Sequence, residues 1–233
     1  SSFSASALRN EKVKVLSAIQ PMTPEQVAAN TVRAQYKGYR SEAKVDPKST
    51  TPTYAALRFY INNWRWKGVP FYLRSGKNLA EKQTQIIIQF KEPPTTMFPM
   101  QTMKPNMLVL YLQPDEGVHL RFEAKAPDTV NETRSVDMEF HYDSAFGKSS
   151  IPESYERLLL DALQGDASLF TRADEVETAW SLIDPILQTW ETHQTPPLAV
   201  YKPGSWGPPE GYDLRARDGR RWLNEEASMM LEK

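Results

Sequence analysis

The residues best suited to chemistry are cationic and close together in the chain. Arg74-Ser75-Gly76-Lys77 closes an apolar run from Val69 to Leu73, and Lys82 follows five residues later. A turn glycine lets the backbone bend sharply, so the lysine after it can project back over a sheet end. Two ammonium groups converging on one point suit a multiply charged anion such as a sugar phosphate. The same spacing also describes two solvated lysines, whose isolated surface pairings contribute about 0–1 kcal/mol. Gln113 ends another strand-like run just before Pro114, where its amide can bond a sugar hydroxyl, although a strand-end Gln is more often satisfied by solvent.

Elsewhere the chemical signals are weak. His119, His141 and His193 have no second ligand at metal-binding spacing, so no metal centre is expected. Asp161, Asp166 and Asp174 read as helix-end and polar-face carboxylates that complement helix dipoles. Nothing pairs them across a cleft, as glycoside hydrolysis requires. No Gly-x-Gly-x-x-Gly occurs, so the dinucleotide-binding fingerprint is missing. With no cysteine, disulfides, thiolate catalysis and Cys-ligated metals are excluded. Basic and acidic residues nearly balance, 28 against 29, which gives no electrostatic basis for binding nucleic acid or an anionic membrane. No apolar run reaches the length of a membrane span.

The elements that must position these residues are mostly strands. Gln85 to Phe90 and Met107 to Leu112 are apolar runs rich in β-branched or large side chains. Val118, Leu120 and Phe122 alternate with His119, Arg121 and Glu123, and Val136, Met138 and Phe140 alternate with Asp137 and Glu139. That pattern predicts one buried face and one polar face. Strands in succession with no helix between them imply antiparallel pairing. Trp64 and Trp66 read as one face of a strand. Thr23-Pro24-Glu25-Gln26 opens a helix with a capping box. Pro152 to Leu163 carries a helical stripe of Tyr155, Leu158, Leu159 and Ala162, and Asp174 to Thr192 a longer one, with Pro185 kinking it near Ser181. The expected fold is α+β, a large mostly antiparallel sheet covered on one face by helices. A disordered or linker segment over residues 1–10 precedes a β+α domain over 11–194. A Pro/Gly-rich tail over 195–233 packs on it through Tyr201 and Trp206.

Several blocks together resemble glucose-6-phosphate dehydrogenase, its bacterial, cyanobacterial or plastid-like members above all. They are Arg9 to Leu16, Tyr36 to Tyr39, Ser49 to Ala55, Trp66 to Lys77, and Gln113-Pro114 with Glu116. Tyr155 to Asp161, Phe170 to Trp180, Pro203-Gly204-Ser205 and Gly207-Pro208 complete the set, in the family's order and across almost the whole chain. The resemblance is to the family's C-terminal domain, which follows a Rossmann coenzyme domain and forms the dimer through its sheet. It implies that Lys77 and Lys82 contact glucose 6-phosphate and that Gln113 lies beside the sugar.

The resemblance also implies limits. The family's catalytic His and coenzyme fingerprint precede this region, so no catalytic residue is expected on this chain and oxidation is not expected from it alone. NADP is implied for the longer enzyme and none for this chain. Animal members hold a second NADP in this domain through several cations. Here Arg74 is retained, while Gln83, Ile87 and Tyr111 stand where cations are expected and Trp206 replaces an Arg. The implied partners are glucose 6-phosphate and a second copy, in the cytoplasm or the plastid stroma. The alternative is a stand-alone, non-catalytic relative acting as an interaction subunit, which binds another protein chain through its sheet and the Trp64/Trp66 segment.

Overall fold

The computed structural model describes residues 4–92, 104–130, 132–147 and 154–223. In chain order the first elements are α1 (Ala5–Ser17), α2 (Pro24–Asn30), β1 (Thr31–Tyr36), a 3-10 turn at Tyr39–Ser41, β2 (Tyr54–Tyr60), β3 (Pro70–Gly76), β4 (Thr84–Gln89) and β5 (Met107–Gln113). There follow β6 (Gly117–Lys125), β7 (Thr133–His141), α3 (Tyr142–Phe146), α4 (Ser154–Gln164), α5 (Ala173–Thr192), β8 (Leu198–Tyr201) and α6 (Pro209–Ala216). The class is α+β with mostly antiparallel pairing. The described strands form two four-stranded sheets, ordered β3-β2-β1-β8 and β4-β5-β6-β7. Two compact units result, residues 1–81 with 154–221 and residues 82–153 with 222–233.

In the first unit the capping box at Thr23 forms as expected. Thr23 N donates to Gln26 Oε1 at 2.9 Å and Gln26 N to Thr23 Oγ1 at 3.3 Å. Thr31, where α2 hands over to β1, donates its hydroxyl to Val27 O at 2.8 Å and accepts from Trp190 Nε1 at 2.9 Å. The core beside it joins Val27, Leu57, Ile186 and Trp190. β8 pairs parallel with β1, Arg33 opposite Leu198 and Tyr36 opposite Tyr201, so the carboxy-terminal segment completes a sheet begun near the amino terminus.

Four expectations are corrected here. Residues 5–10 are helical rather than linker, because Ala5, Ala7, Leu8 and Arg9 are strong helix formers and Ser4 caps the helix, even without a buried stripe. The segment after residue 195 holds a strand and a helix as well as loop. Trp64 and Trp66 sit in the turn between β2 and β3, where Asn63 Oδ1 accepts from Trp66 N at 2.9 Å. Trp66 packs edge-on against Phe71, while Trp64 is 87% exposed. Asp161 is buried on α4 beside Arg157 Nε at 2.9 Å, so α4 turns Tyr155, Leu159 and Leu163 outward.

The second unit inverts the expected burial. On β6 the buried side chain is His119, and the exposed ones include Val118. Met107, Val109 and Tyr111 share the buried face with Leu223, and Ile87 packs against them. His119 Nε2 lies 2.9 Å from Asp137 Oδ1, and Arg121 donates to both oxygens of Asp137 at 2.7 and 3.2 Å. These bonds let a polar row be covered. The opposite face is apolar in register. Leu110, Val118 and Phe140 form one cross-strand row, and Leu108, Leu120 and Met138 the next. Much of it is open, with Met138 61% exposed. Alternation tells which residues share a face, but not which face is covered.

Candidate functional site

β3 delivers Lys77. Its residues pair with β2 from Pro70 opposite Tyr60 to Gly76 opposite Tyr54. At the far end Gly76 meets the Tyr54 ring, where a Cβ would lie a tight 3.0 Å from Cδ2. Lys77 N then donates to Thr53 O at 2.8 Å, and the Tyr201 hydroxyl donates to Lys77 O at 2.6 Å. Both backbone groups of Lys77 are thus held, and its exposed side chain extends from a fixed base. Asn78 follows in the left-handed region at φ 50°, turning the chain. Ala80 N donates to Ser205 O at 3.1 Å and Gly204 N to Asn78 O at 2.8 Å, so residues 78 and 80 are tied to the same distant segment.

Lys82 and Gln113 belong to the second unit. Thr84, the first residue of β4, pairs with Gln113, the last of β5, which sets Lys82 and Gln113 at one end of that sheet. Both side chains are exposed. Lys77 lies in the other unit, five residues earlier in the chain. Among the described residues no ion pair engages Lys77 or Lys82.

Arg74 is differently placed. Its Nη1 donates to Trp206 O at 3.1 Å, and its Cζ lies 5.0 Å from the centre of the Trp206 ring. Tyr54 packs into the same corner against Gly207 and Gly211, whose missing side chains admit its ring. Burial pushes the Tyr54 phenol up, with Arg74 opposing the shift. Further along β3, the Tyr72 hydroxyl bonds Asp218, which also pairs with Arg58 Nε at 2.9 Å. The buried guanidinium of Arg215 sits 4.6 Å over the Tyr72 ring, and desolvation lowers its pKa to about 10. This Tyr–Asp–Arg lattice anchors α6 against β3.

The histidines take structural positions. His141 Nε2 lies 2.5 Å from Glu139 Oε1, and its ring stacks on Tyr111 at 5.9 Å. His193 caps α5 at its carboxy end. Asp166 accepts from Ser168 N and Oγ, bonds that hold its carboxyl below the usual range. Asp174 is engaged by Arg172 through two bonds of 2.6 and 2.7 Å. Among the described residues no group of three or more His, Asp or Glu could hold a metal ion.

The family model described as "Glucose-6-phosphate dehydrogenase, C-terminal domain" matches residues 1–223. The chain belongs to this family. It is 43% identical over 228 residues to the glucose-6-phosphate 1-dehydrogenase of Mycolicibacterium smegmatis, covering 93% of this chain and 46% of the relative. With the enzyme of the same name from Treponema pallidum, identity is 42% over 242 residues, covering 97% and 46%. A solved glucose-6-phosphate dehydrogenase in complex with its substrate glucose-6-phosphate superposes with a TM-score of 0.85 at 34% identity, over 95% of this chain and 46% of that one. The Mycobacterium avium enzyme gives 0.76 at 34% identity, over 94% and 44%. The chain spans about half the length of the curated relatives it matches.

The residue that sequence reasoning missed is Tyr201. It was expected to pack, but its hydroxyl bond to Lys77 O spans 124 positions, and no local pattern reports such a contact.

Proposed function

We propose that this chain is the substrate-side and dimer-forming half of an NADP-dependent glucose-6-phosphate dehydrogenase, acting in the pentose phosphate route. The observation that carries the reading is the fold match over 95% of the chain to a glucose-6-phosphate dehydrogenase solved in complex with its substrate glucose-6-phosphate. Lys77, and Lys82 five residues later in the chain, are the cations proposed to contact the anionic sugar phosphate, each able to make a charge-assisted bond stronger than a neutral one. Gln113 offers its amide to a sugar hydroxyl. NADP, when bound in a longer enzyme, would supply the acceptor for the hydride leaving C1 of the sugar. On this chain the residues bind and orient the substrate, and none is assigned to take the C1 hydroxyl proton.

A second coenzyme site on this chain does not fit the residues present. The guanidinium of Arg74, the retained cation, is spent on the Trp206 carbonyl and ring. Partner and place follow from the same reading. The open apolar face of the second sheet fits a second copy, since a two-fold seam can set identical rows of Val, Leu, Met and Phe against each other. The relatives named are bacterial, which favours the cytoplasm over the plastid stroma. The outward apolar residues of α4, Tyr155, Leu159 and Leu163, suit a chain that packs against further polypeptide.

The test is turnover. The 233-residue chain, alone and joined to the half of the M. smegmatis enzyme outside the match, is assayed for NADPH formed from glucose 6-phosphate. The reading expects activity from the joined protein and none from the chain alone. Turnover by the chain alone contradicts it, as does an inactive but folded joined protein.

A further inference from the structure

Residues 201–206 lie more than a hundred positions after the loop 77–81, yet they hold it at successive points. The Tyr201 hydroxyl donates to Lys77 O at 2.6 Å, Gly204 N to Asn78 O at 2.8 Å, and Ala80 N to Ser205 O at 3.1 Å. Leu79 and Ser205 form a parallel bridge, and Arg74, three residues before Lys77, donates to Trp206 O at 3.1 Å. The clamp is itself rigidly mounted. Tyr201 is 3% exposed and ends β8, which pairs with β1 through four residues. Its hydroxyl lies 3.1 Å from Thr53 Oγ1, and Thr53 O is the acceptor for Lys77 N. Thr53 Oγ1 in turn accepts from Tyr36 N at 3.0 Å. One partly buried network therefore fixes both backbone groups of Lys77.

We propose that Tyr201 is the positioning residue for Lys77, and that residues 201–206 form the clamp that presents the loop 77–81 to the substrate phosphate-bearing sugar. The proposal rests on the reading of Lys77 as a substrate contact. Lysine has a long flexible stem, so the direction of its ammonium depends on how firmly its backbone is set. A charged contact that is about 1 Å out of place can lose much of its worth in binding and rate. Tyr201 itself does not reach the solvent and so touches no ligand. Burial pushes its phenol up, against the opposing effect of its bonds to Thr53 and Lys77, which keeps the hydroxyl a proton donor.

The experiment compares Tyr201→Phe with Thr189→Val in the joined protein described above. Thr189 is buried in the same unit and its hydroxyl donates to Pro185 O at 2.7 Å, so this variant also deletes one buried hydrogen bond while keeping side-chain volume. Tyr201→Phe is expected to raise KM for glucose 6-phosphate by about threefold to tenfold, the loss of one hydrogen bond. KM for NADP and kcat should stay within about twofold of the parent value. Both variants should lower Tm, and Thr189→Val should leave KM for the sugar phosphate unchanged. An unchanged KM in Tyr201→Phe, or an equal rise in both variants, overturns the proposal. If the unsubstituted joined protein does not turn over glucose 6-phosphate, the substrate reading fails and positioning is judged on the 233-residue chain. There, faster amide exchange over residues 77–81 in Tyr201→Phe but not in Thr189→Val keeps Tyr201 as the clamp. Unchanged exchange removes it.

Discussion

Replacing Met138 on the open face of the second sheet tests the proposed dimer seam at its most exposed point. Met138 pairs with Leu120, which pairs with Leu108, and it is 61% exposed in the single chain. Full burial of a methionine-sized side chain is worth about 1.5–3 kcal/mol. Covering the open three-fifths therefore contributes about 1–2 kcal/mol per copy, and a two-fold seam counts it twice. Met138→Ala should then weaken self-association by about thirtyfold to a thousandfold, less whatever freedom the side chain regains. Met138→Glu should go further, because it sets two carboxylates in a seam with no counter-charge in either neighbouring row. Sedimentation equilibrium across a dilution series measures both constants. Since the side chain is already exposed in the monomer, the circular dichroism of dilute samples should not change. A Met138→Glu chain that dimerises as tightly as the parent refutes the sheet face as the seam.

Other perturbations probe the frame around the site. Gly211→Ala puts a Cβ 2.4 Å from the Tyr54 hydroxyl, whose ring is 2% exposed and cannot swing away. Denaturant titration should show a loss of about 1–3 kcal/mol, and an unchanged midpoint contradicts the Tyr54 wedge. Asp137 is held at a pKa of about 2, below the ordinary 3.8, chiefly by its hydrogen bonds from Arg121. Its folded-state pKa is the lower one, so its contribution is fully present above about pH 4 and is lost as pH falls through about 2. The side chain is 34% exposed, which discounts the contribution to about 1 kcal/mol. Asp137→Asn should remove that part of the acid dependence, so parent and variant should converge in stability near pH 2. A constant gap across the range contradicts the ion-pair account.

Much of the local structure was legible because its causes are local. The capping box at Thr23, the strands at Thr84–Gln89 and Met107–Gln113, and the two long helices after residue 153 follow from spacing within a few residues. The division into two sheets was not legible. It lies between β3 and β4, which pair with β2 and β5 and not with each other. The first sheet also takes in β8 beside β1, a pairing across a distance that no periodicity encodes. The face patterns of β6 and β7 were read correctly as alternation and wrongly as burial. His119 is covered with Asp137 at its Nε2, and Met138 is 61% exposed although it alternates like a core residue. Lys77, Lys82 and Gln113 came from motif resemblance, since two exposed lysines and a strand-end glutamine have no distinguishing physics of their own. Tyr201 looked like one aromatic in a Pro/Gly-rich tail, and only its 2.6 Å contact with Lys77 O reveals its place.

The most direct test of the account is the substrate kinetics of Lys77→Ala in the joined protein. Losing a charge-assisted contact should raise KM for glucose 6-phosphate by about tenfold to a hundredfold and leave KM for NADP unchanged. Kinetics identical to the parent would remove Lys77 from the substrate site and, with it, the claim that this chain shapes that site.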